Sequence, residues 1–191
     1  MNYTQANQLN FNPRTQMSQI LVEGFWDILF SKFKVEKAKL INALEHCFDL
    51  SVFYVAHDES QIYSIVANSP TGTCFQLDKK LLQKKLGFIS GWIVYKVCTT
   101  HLHTNYPAVD NTTYNYIDLV VSSPNSLQKG VTYGLMQHIV TQSNNKNFML
   151  LVQANNTPAV RLYEKVGFRE NSRKKSKVPG AKFDLFLTYN V

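Results

Sequence analysis

The sequence predicts an α+β domain in which helices flank a central β-sheet. Some segments are short β-rich runs bounded by turn residues, such as residues 51–57 and 61–67. In other segments apolar side chains recur at helical spacing, as in Met17, Ile20, Leu21, Phe25, Ile28 and Leu29. The chain has 191 residues, 45% of them hydrophobic, which is enough to bury a core. We therefore expect a single domain over residues 1–191.

The first third of the chain predicts a strand, two helices and a β-hairpin in that order. Residues 2–6 read as a short strand, and the first apolar stripe is a helix that ends near Leu29. After a polar break at residues 32–34, a second helical stripe consists of Ala38, Ile41, Leu44 and Phe48. The two β-rich runs then pair through the turn residues 57–60.

The middle of the chain predicts an insertion between the third and fourth strands. A loop at residues 68–73 leads to a short cationic helix, 78–86, that ends at Gly87. Residues 88–102 fit a helix or a strand, and we favour a helix because of the spacing of Ile89, Trp92, Ile93 and Val97. A polar loop at 106–114 then precedes the strand 116–121.

The most informative stretch is residues 156–168, Asn-Thr-Pro-Ala-Val-Arg-Leu-Tyr-Glu-Lys-Val-Gly-Phe, which follows an apolar run. Asn156 stands where a strand gives way to a helix, so its side chain can cap the helix and still reach a ligand. The spacing predicts a buried stripe of Ala159, Leu162 and Val166, with Tyr163 half-buried beside it and facing a cleft. Gly167 ends the helix, and Phe168 begins the next strand. The stretch resembles the Asn-x-x-Ala-x-x-Leu-Tyr-Glu-Lys-x-Gly-Phe signature of GNAT acetyltransferases.

A second motif lies upstream, in residues 124–136, and resembles the acetyl-CoA pyrophosphate loop of the same superfamily. That loop usually reads Arg/Gln-x-x-Gly-x-Gly/Ala and opens a long helix, whose N-terminus favours phosphate. Gly130 allows the main chain to approach phosphate oxygens, and Lys129 adds a positive charge. Leu127 stands where Arg or Gln is usual, and Thr132 where the second Gly or Ala is usual. One helix, Val131–Gln142, and one strand, 148–153, separate the two motifs, as the family requires.

The resemblance implies the GNAT fold and an acetyl-CoA site. In that fold a mixed, mostly antiparallel sheet is splayed between strands 4 and 5, and main-chain groups at the gap pair with pantetheine. By resemblance, Val120, Val121 and Ser122 supply those groups, and one of their N–H groups serves the thioester oxygen. The pantetheine arm is held by Asn156. The pyrophosphate is held by Gln128, Lys129, Gly130, Val131, Thr132, Tyr133 and Gly134.

The resemblance also implies the catalytic groups. Tyr163 matches the general acid that protonates the departing thiolate. Asp118 is the only acid in the fourth strand and is the candidate general base, although it fits a solvated strand residue equally well. His101 and His103 are alternatives for the base. A further alternative is an acceptor amine that arrives already neutral.

These residues predict an N-acetyltransferase that moves an acetyl group from acetyl-CoA directly to a primary amine of a small molecule, peptide or protein. The alternative is a non-catalytic module that binds or senses acetyl-CoA. Leu127 and Thr132 favour the alternative because they weaken the phosphate loop, whereas Tyr163 favours the enzyme. Acceptor specificity would come from the insertion, whose Trp92, Tyr95, Tyr106 and Tyr114 either wall a pocket or cover the core.

Composition narrows the class further. The net charge of +7 suits steering of an anionic cofactor, and the basic runs lack the aromatic interleaving that a nucleic-acid binder would show. Cys47, Cys74 and Cys98 form no Cys-x-x-Cys pair, which predicts no metal site and suits a reducing compartment. No apolar run is long enough for a membrane span, and the N-terminus lacks a signal peptide. We expect a cytoplasmic protein without membrane partners. The sequence is also compatible with a homodimer.

Overall fold

A computed structural model describes residues 1–102, 106–107, 112–124, 126, 129–178 and 180–190. The strands of these residues are β1 (Asn2–Gln5), β2 (Phe53–His57), β3 (Ile62–Ser69), β4 (Asn115–Ser122), β5 (Asn147–Gln153), β6 (Arg169–Lys175) and β7 (Phe183–Asn190). The α-helices are α1 (Arg14–Gly24), α2 (Lys37–Leu44), α3 (Lys79–Leu86), α4 (Phe88–His101), α5 (Val131–Gln142) and α6 (Thr157–Val166).

The strands form a single mixed sheet in the order β1-β2-β3-β4-β5-β7-β6. Each neighbouring pair is antiparallel except β4 and β5, which run parallel and are joined by α5. A parallel pair needs a crossover, and the helical spacing of residues 131–142 provides it. The predicted α+β class, with its mostly antiparallel sheet and helical insertion between the third and fourth strands, is confirmed.

Helices cover the sheet on both faces. On one face α1 to α4 bury an apolar cluster that includes Met17, Leu21, Leu40 and Phe53. On the other face α5 and α6 bury a second cluster that includes Leu135, Ile139, Phe148 and Phe168. Strand residues alternate between the two clusters, since successive side chains of a strand point to opposite faces. The central strands β4 and β5 therefore lie between two separately packed helical layers.

The insertion is a helical hairpin. The Asp78 carboxylate caps α3 by accepting hydrogen bonds from the main-chain N–H groups of Lys80 and Leu81 at 2.8 and 3.0 Å. Gly87, at φ +86°, turns the chain directly into α4. A Cβ at Gly91 would overlap the main chain of α3, so this glycine allows the two helices to pack closely. The prediction of a helix for residues 88–102 is therefore correct.

Some predicted boundaries differ from the structure. The first helix ends at Gly24, and its apolar stripe continues through a π-helical turn at Trp26–Phe30. The second stripe ends in a 3₁₀ turn, Glu45–Cys47. β7 has no counterpart among the predicted elements, although it pairs with β5 along its whole length. In the predicted polar loop 106–114, residues 108–111 lie outside the described residues.

Candidate active site

The site begins where β4 and β5 part. Their parallel pairing runs from Asn115 opposite Phe148 to Ile117 opposite Leu150, and no pair between them follows. Beyond this point residues 118–122 and 151–153 diverge, so the facing edges of both strands are open to a ligand. The splay expected between the fourth and fifth strands is confirmed.

A β-bulge in β4 accompanies the splay. Ile65 pairs with Val121 and Ala67 with Asp118, so Val66 of β3 faces two residues of β4, Leu119 and Val120. Leu119 adopts φ +50°, the only non-glycine residue at positive φ in the described part of the chain. Such strain costs on the order of 1–3 kcal/mol and persists only where surrounding structure enforces it. The bulge bends the strand and turns its main chain toward the gap.

The C-terminal end of α1 presses on this bent strand. A Cβ at Gly24 would overlap Cγ1 of Val121, which is itself buried. Glycine at this position therefore allows α1 to approach β4 closely. The π-helical turn that follows α1 then lies at the gap, and it contributes Ile28 and Leu29 to the cavity wall.

A cavity of about 210 Å³ occupies the gap. It gathers four of the predicted site residues, Asp118, Val120, Asn156 and Tyr163. The remaining wall residues were not predicted as site residues, apart from His101, which was an alternative base. These residues are Phe25, Ile28, Leu29, Leu102, Leu119, Leu151, Val152, Gln153 and Val178. The continuation of the first apolar stripe past Gly24 is the one sequence signal that pointed to Phe25, Ile28 and Leu29.

Tyr163 is more deeply placed than its predicted half-buried position. It is 7% exposed, and together with Val166 it forms the buried stripe of α6, whereas Leu162 is only partly buried. Burial in the gap, and then the negative charge of Asp118, raise the pKa of the Tyr163 phenol above its ordinary value of 10.0. The phenol is therefore fully protonated at neutral pH. Among the described residues none forms a hydrogen bond with the Tyr163 hydroxyl.

Asn156 acts as the predicted helix cap. Its side-chain oxygen accepts a hydrogen bond from the main-chain N–H of Ala159 at 3.4 Å, at the start of α6. Because capping uses the oxygen, the amide nitrogen of this exposed side chain remains available to donate toward the gap. Gly167 ends α6 at φ +120°, in a conformation that favours glycine.

A second depression, of about 220 Å³, lies at the N-terminus of α5. Gly130 immediately precedes the helix at φ +84°, and a Cβ there would meet nothing within 4 Å. The main-chain N–H groups of Val131, Thr132 and Tyr133 open the helix and have no partner within it. Apart from these four, the depression is lined by Ser122, Ser123, Ser126 and Leu162, of which only Ser122 was predicted. Gln128 lies outside the described residues.

Two of the predicted loop residues also make contacts that pack α5 against the sheet. The Thr132 hydroxyl lies 3.0 Å from Ser64 Oγ, and that hydroxyl donates to the Val121 carbonyl at 3.0 Å. Thr132 therefore ties α5 to the bent strand, which explains how a threonine fits where glycine or alanine is usual. A Cβ at Gly134 would overlap the Tyr3 hydroxyl, so Gly134 allows β1 to pack on α5. Lys129 is exposed beside the helix start.

Asp118 is half-buried and lines the cavity in the gap, not the depression at the N-terminus of α5. Its Oδ1 accepts a hydrogen bond of 2.7 Å from the Tyr106 hydroxyl, and the Tyr106 ring stacks on Tyr116 with centroids 4.3 Å apart. This contact fixes the carboxylate in the cavity wall. His101 also lines the cavity, whereas His103 lies outside the described residues.

Among the described residues, no three His, Cys, Asp or Glu side chains are grouped as a metal site would need. None of the described helices combines the length and the apolar character that crossing a bilayer requires.

This chain is similar to known proteins in family and in fold. The model of the acetyltransferase (GNAT) family matches residues 38–168. No curated protein matches the sequence significantly. An N-acetyltransferase structure from Staphylococcus aureus Mu50 is similar, with a TM-score of 0.64 and 15% identity over 98% of this chain and 100% of that chain.

Two other solved structures have the same fold. A GNAT-family acetyltransferase from Bacillus cereus ATCC 10987 gives a TM-score of 0.60 and 10% identity, over 99% of this chain and 96% of that chain. An aminoglycoside 6'-acetyltransferase type Ii gives 0.59 and 10%, over 100% and 97%. At such identities the likeness shows the fold alone.

Proposed function

This chain belongs to the GNAT acetyltransferase family, and from that premise we propose that it transfers the acetyl group of acetyl-CoA directly to a primary amine. The observation that carries the proposal is the gap between β4 and β5, where Asp118, Val120, Asn156 and Tyr163 line one cavity. Family membership supports an acetyltransferase.

Acetyl-CoA fits the described residues in two places. The open edge of β4 can pair with the amide groups of pantetheine, as an added strand would, with Val120 lining the cavity and Ser122 lining the depression at the N-terminus of α5. The N-terminus of α5, with the bare main chain of Gly130, suits the pyrophosphate. We assign the binding of the pantetheine arm to Asn156. Of the residues predicted to hold the pyrophosphate, Gly134 has only a structural role, because it allows β1 to pack on α5.

Main-chain groups of the protein would polarise the thioester carbonyl. In the transfer, the amine nitrogen forms a bond to the acetyl carbon, and the bond from that carbon to sulfur breaks. Negative charge develops on the carbonyl oxygen, where a main-chain N–H group of residues 120–122 would donate a hydrogen bond. The bulge at Leu119 orients these groups before the substrates bind, so little reorganisation is needed during the reaction.

Tyr163 would donate a proton to the departing sulfur. A raised pKa makes its phenol a weaker acid than a phenol in water, which taken alone disfavours transfer to a thiolate. However, a thiolate formed in the same dry gap beside Asp118 would be destabilised by the same burial and the same charge. The two pKa values would therefore rise together, and the proton transfer would stay close to balanced.

Asp118 would accept the proton that the amine loses. An alkylamine with a pKa of about 10.4 is neutral only about once in 2,500 molecules at pH 7, which corresponds to about 4.6 kcal/mol. The Asp118 carboxylate, held by Tyr106, is the one acid among the described residues that line the gap. It would also attract the cationic amine before transfer.

Direct transfer is favoured over a covalent acetyl-enzyme. None of the three cysteines lines the gap, and burial raises the pKa of the Cys47 and Cys98 thiols to about 12. Neutral thiols are poor nucleophiles. A homodimer and a cytoplasmic location stay predictions, which sedimentation and fractionation would test.

The proposal is tested by following thiol release from acetyl-CoA with a panel of primary amines, while mass spectrometry identifies the acetylated product. We expect amine-dependent release with one acetylated amine per coenzyme A. Saturable acetyl-CoA binding without turnover on any amine would favour the alternative, a binding or sensing module.

A further inference from the structure

A further cavity lies between α4 and the loop that follows β3. Its volume is about 340 Å³, larger than the cavity in the gap itself. We call it the insertion cavity. Its described wall consists of Thr73, Cys74, Phe75, Leu77, Tyr95, Cys98, Thr99 and Leu102.

The wall of the insertion cavity carries no charge at neutral pH. Burial raises the pKa of the Cys98 thiol to about 12, and burial with the nearby Asp118 charge raises that of Cys74 as well, so both thiols stay protonated. The Thr99 hydroxyl donates to the Tyr95 carbonyl of its own helix at 2.9 Å. Besides the Thr73 and Tyr95 hydroxyls, the surface that remains for a ligand is carbon, sulfur and aromatic, which suits a largely apolar group.

The insertion cavity adjoins the gap. Leu102 belongs to the wall of both cavities. The Asp118 carboxylate is close enough to Cys74 to raise the pKa of that thiol. Tyr106, which holds Asp118, also lies against the loop, because a Cβ at Gly72 would be 3.5 Å from its ring. An amine placed at Asp118 would therefore have the insertion cavity within reach of its substituent.

Resting on the proposed function, we propose that the insertion cavity holds the apolar substituent of the acceptor, which is a primary monoamine bearing an aryl group. The volume of 340 Å³ is roughly twice the ~150 Å³ that accommodates benzene, so an aryl ring with its linker fits. One carboxylate among the described residues of the gap matches one ammonium group. A polyamine would lack partners there and would meet a protein of net charge +7.

The test measures binding, so that it does not depend on turnover. The full chain is titrated calorimetrically with 2-phenylethylamine and with propylamine, in the presence of coenzyme A. We expect 2-phenylethylamine to bind at least tenfold more tightly than propylamine. Equal affinities would overturn the proposal, because propylamine offers the same ammonium group without the ring.

Two neighbouring threonines of α4 provide a matched pair of variants. Thr99 lines the insertion cavity, whereas Thr100 is exposed and does not. Thr99→Phe fills the cavity and should abolish the tenfold preference, while Thr100→Phe should keep it. Retention of the preference in Thr99→Phe would contradict the proposal. If Thr99→Phe fails to fold, Thr73→Phe fills the cavity from the loop instead and must give the same loss.

A further titrant identifies the source of the amine. The tripeptide Phe-Gly-Gly carries the same ring and ammonium group, so tighter binding of the peptide assigns the site to peptide N-termini and weaker binding to free arylalkylamines. Acetyl-CoA is titrated in parallel. Acetyl-CoA binding with no aryl preference defeats this inference alone, whereas failure of acetyl-CoA to bind defeats the proposed function.

Discussion

The two sides of the gap are built in different ways. The side that we propose for the cofactor, which we call the cofactor side, uses main-chain geometry: a bulge at Leu119, a turn at Gly130 and a helix cap at Asn156. The side that we propose for the acceptor, which we call the acceptor side, consists of the end of α1 with the turn that follows it, the loop after β3, and α4. It uses side chains that meet from distant parts of the chain. Main-chain geometry requires particular residues at fixed spacing, whereas an apolar cavity accepts many combinations of side chains.

The largest expected effect is that of removing the Tyr163 hydroxyl. It tests whether the cofactor side also supplies the proton for the departing thiolate. Tyr163→Phe keeps the ring and removes the proton donor. The acetyl-transfer step should slow by about 10²-fold, the lower end of the effect expected for a positioned general acid. Single-turnover acetylation measures that step without interference from product release.

Tyr189→Phe is the control for this substitution. Tyr189 lies on β7 and does not line the gap. Its ring packs against that of Phe168, with ring centroids 5.6 Å apart. Its loss of a hydroxyl should leave the single-turnover rate unchanged. Equal rates for Tyr163→Phe and the wild-type protein would assign the proton to water or to another donor.

A pair of glycines compares the two sides directly. Gly130 and Gly87 have φ values of +84° and +86°, and in both cases a Cβ would meet nothing within 4 Å. Valine imposes similar backbone strain at either position. We expect Gly130→Val to weaken acetyl-CoA binding on the order of tenfold to a hundredfold, about 1.4–2.7 kcal/mol, and Gly87→Val to leave it unchanged.

Lys129→Ala completes that comparison. Lys129 is exposed, so its charge is screened and should contribute less than about 1 kcal/mol to acetyl-CoA binding. A loss at Lys129 equal to the loss at Gly130 would mean that side-chain charge, and not main-chain approach, holds the pyrophosphate.

The last effect is on stability and not on binding or catalysis, and it involves the buried thiols, two of which line the insertion cavity. Burial raises the pKa of Cys47 and Cys98 from 9.0 to about 12. Between pH 9 and 12 the unfolded chain has lost protons that the folded chain keeps, so the free energy of unfolding falls as pH rises. Each thiol contributes about 1.4 kcal/mol per pH unit, and full stability is present below pH 9.

In Cys98→Ala, the free energy of unfolding should therefore fall less steeply with pH above pH 9, by the contribution of one thiol. Urea unfolding at pH 8, 9 and 10 gives the slope, and Cys98→Ala also lowers the stability at pH 8 by the cost of the lost packing. An unchanged slope would show that Cys98 is accessible to water in the folded protein, which would also weaken the account of an apolar insertion cavity.

Sequence reasoning succeeded where structure depends on local chemistry. The bounds of α5 were predicted to the residue, and Gly130, Asn156 and Gly167 hold the positions that their capping and turn preferences indicated. The helical insertion was also predicted, because Asp78 and Gly87 mark the start and the end of α3.

Predictions from the sequence failed where the structure depends on contacts between distant residues. The inward turn of Thr132 requires Ser64 on β3, which no pattern near residue 132 indicates. The sequence left open whether Trp92, Tyr95, Tyr106 and Tyr114 wall a pocket or cover the core, and the four residues lie in different surroundings. Trp92 is 45% exposed, Tyr95 lines the insertion cavity, Tyr106 holds Asp118, and Tyr114 is buried with Met149 and Phe186.

The most direct test of the account is calorimetric titration of the wild-type protein with acetyl-CoA. The open edge of β4 and the N-terminus of α5 predict saturable binding of one acetyl-CoA per chain with a dissociation constant below the millimolar range. Absence of saturable binding below that range would contradict the assignment of the gap, and with it every role proposed for the residues that line it.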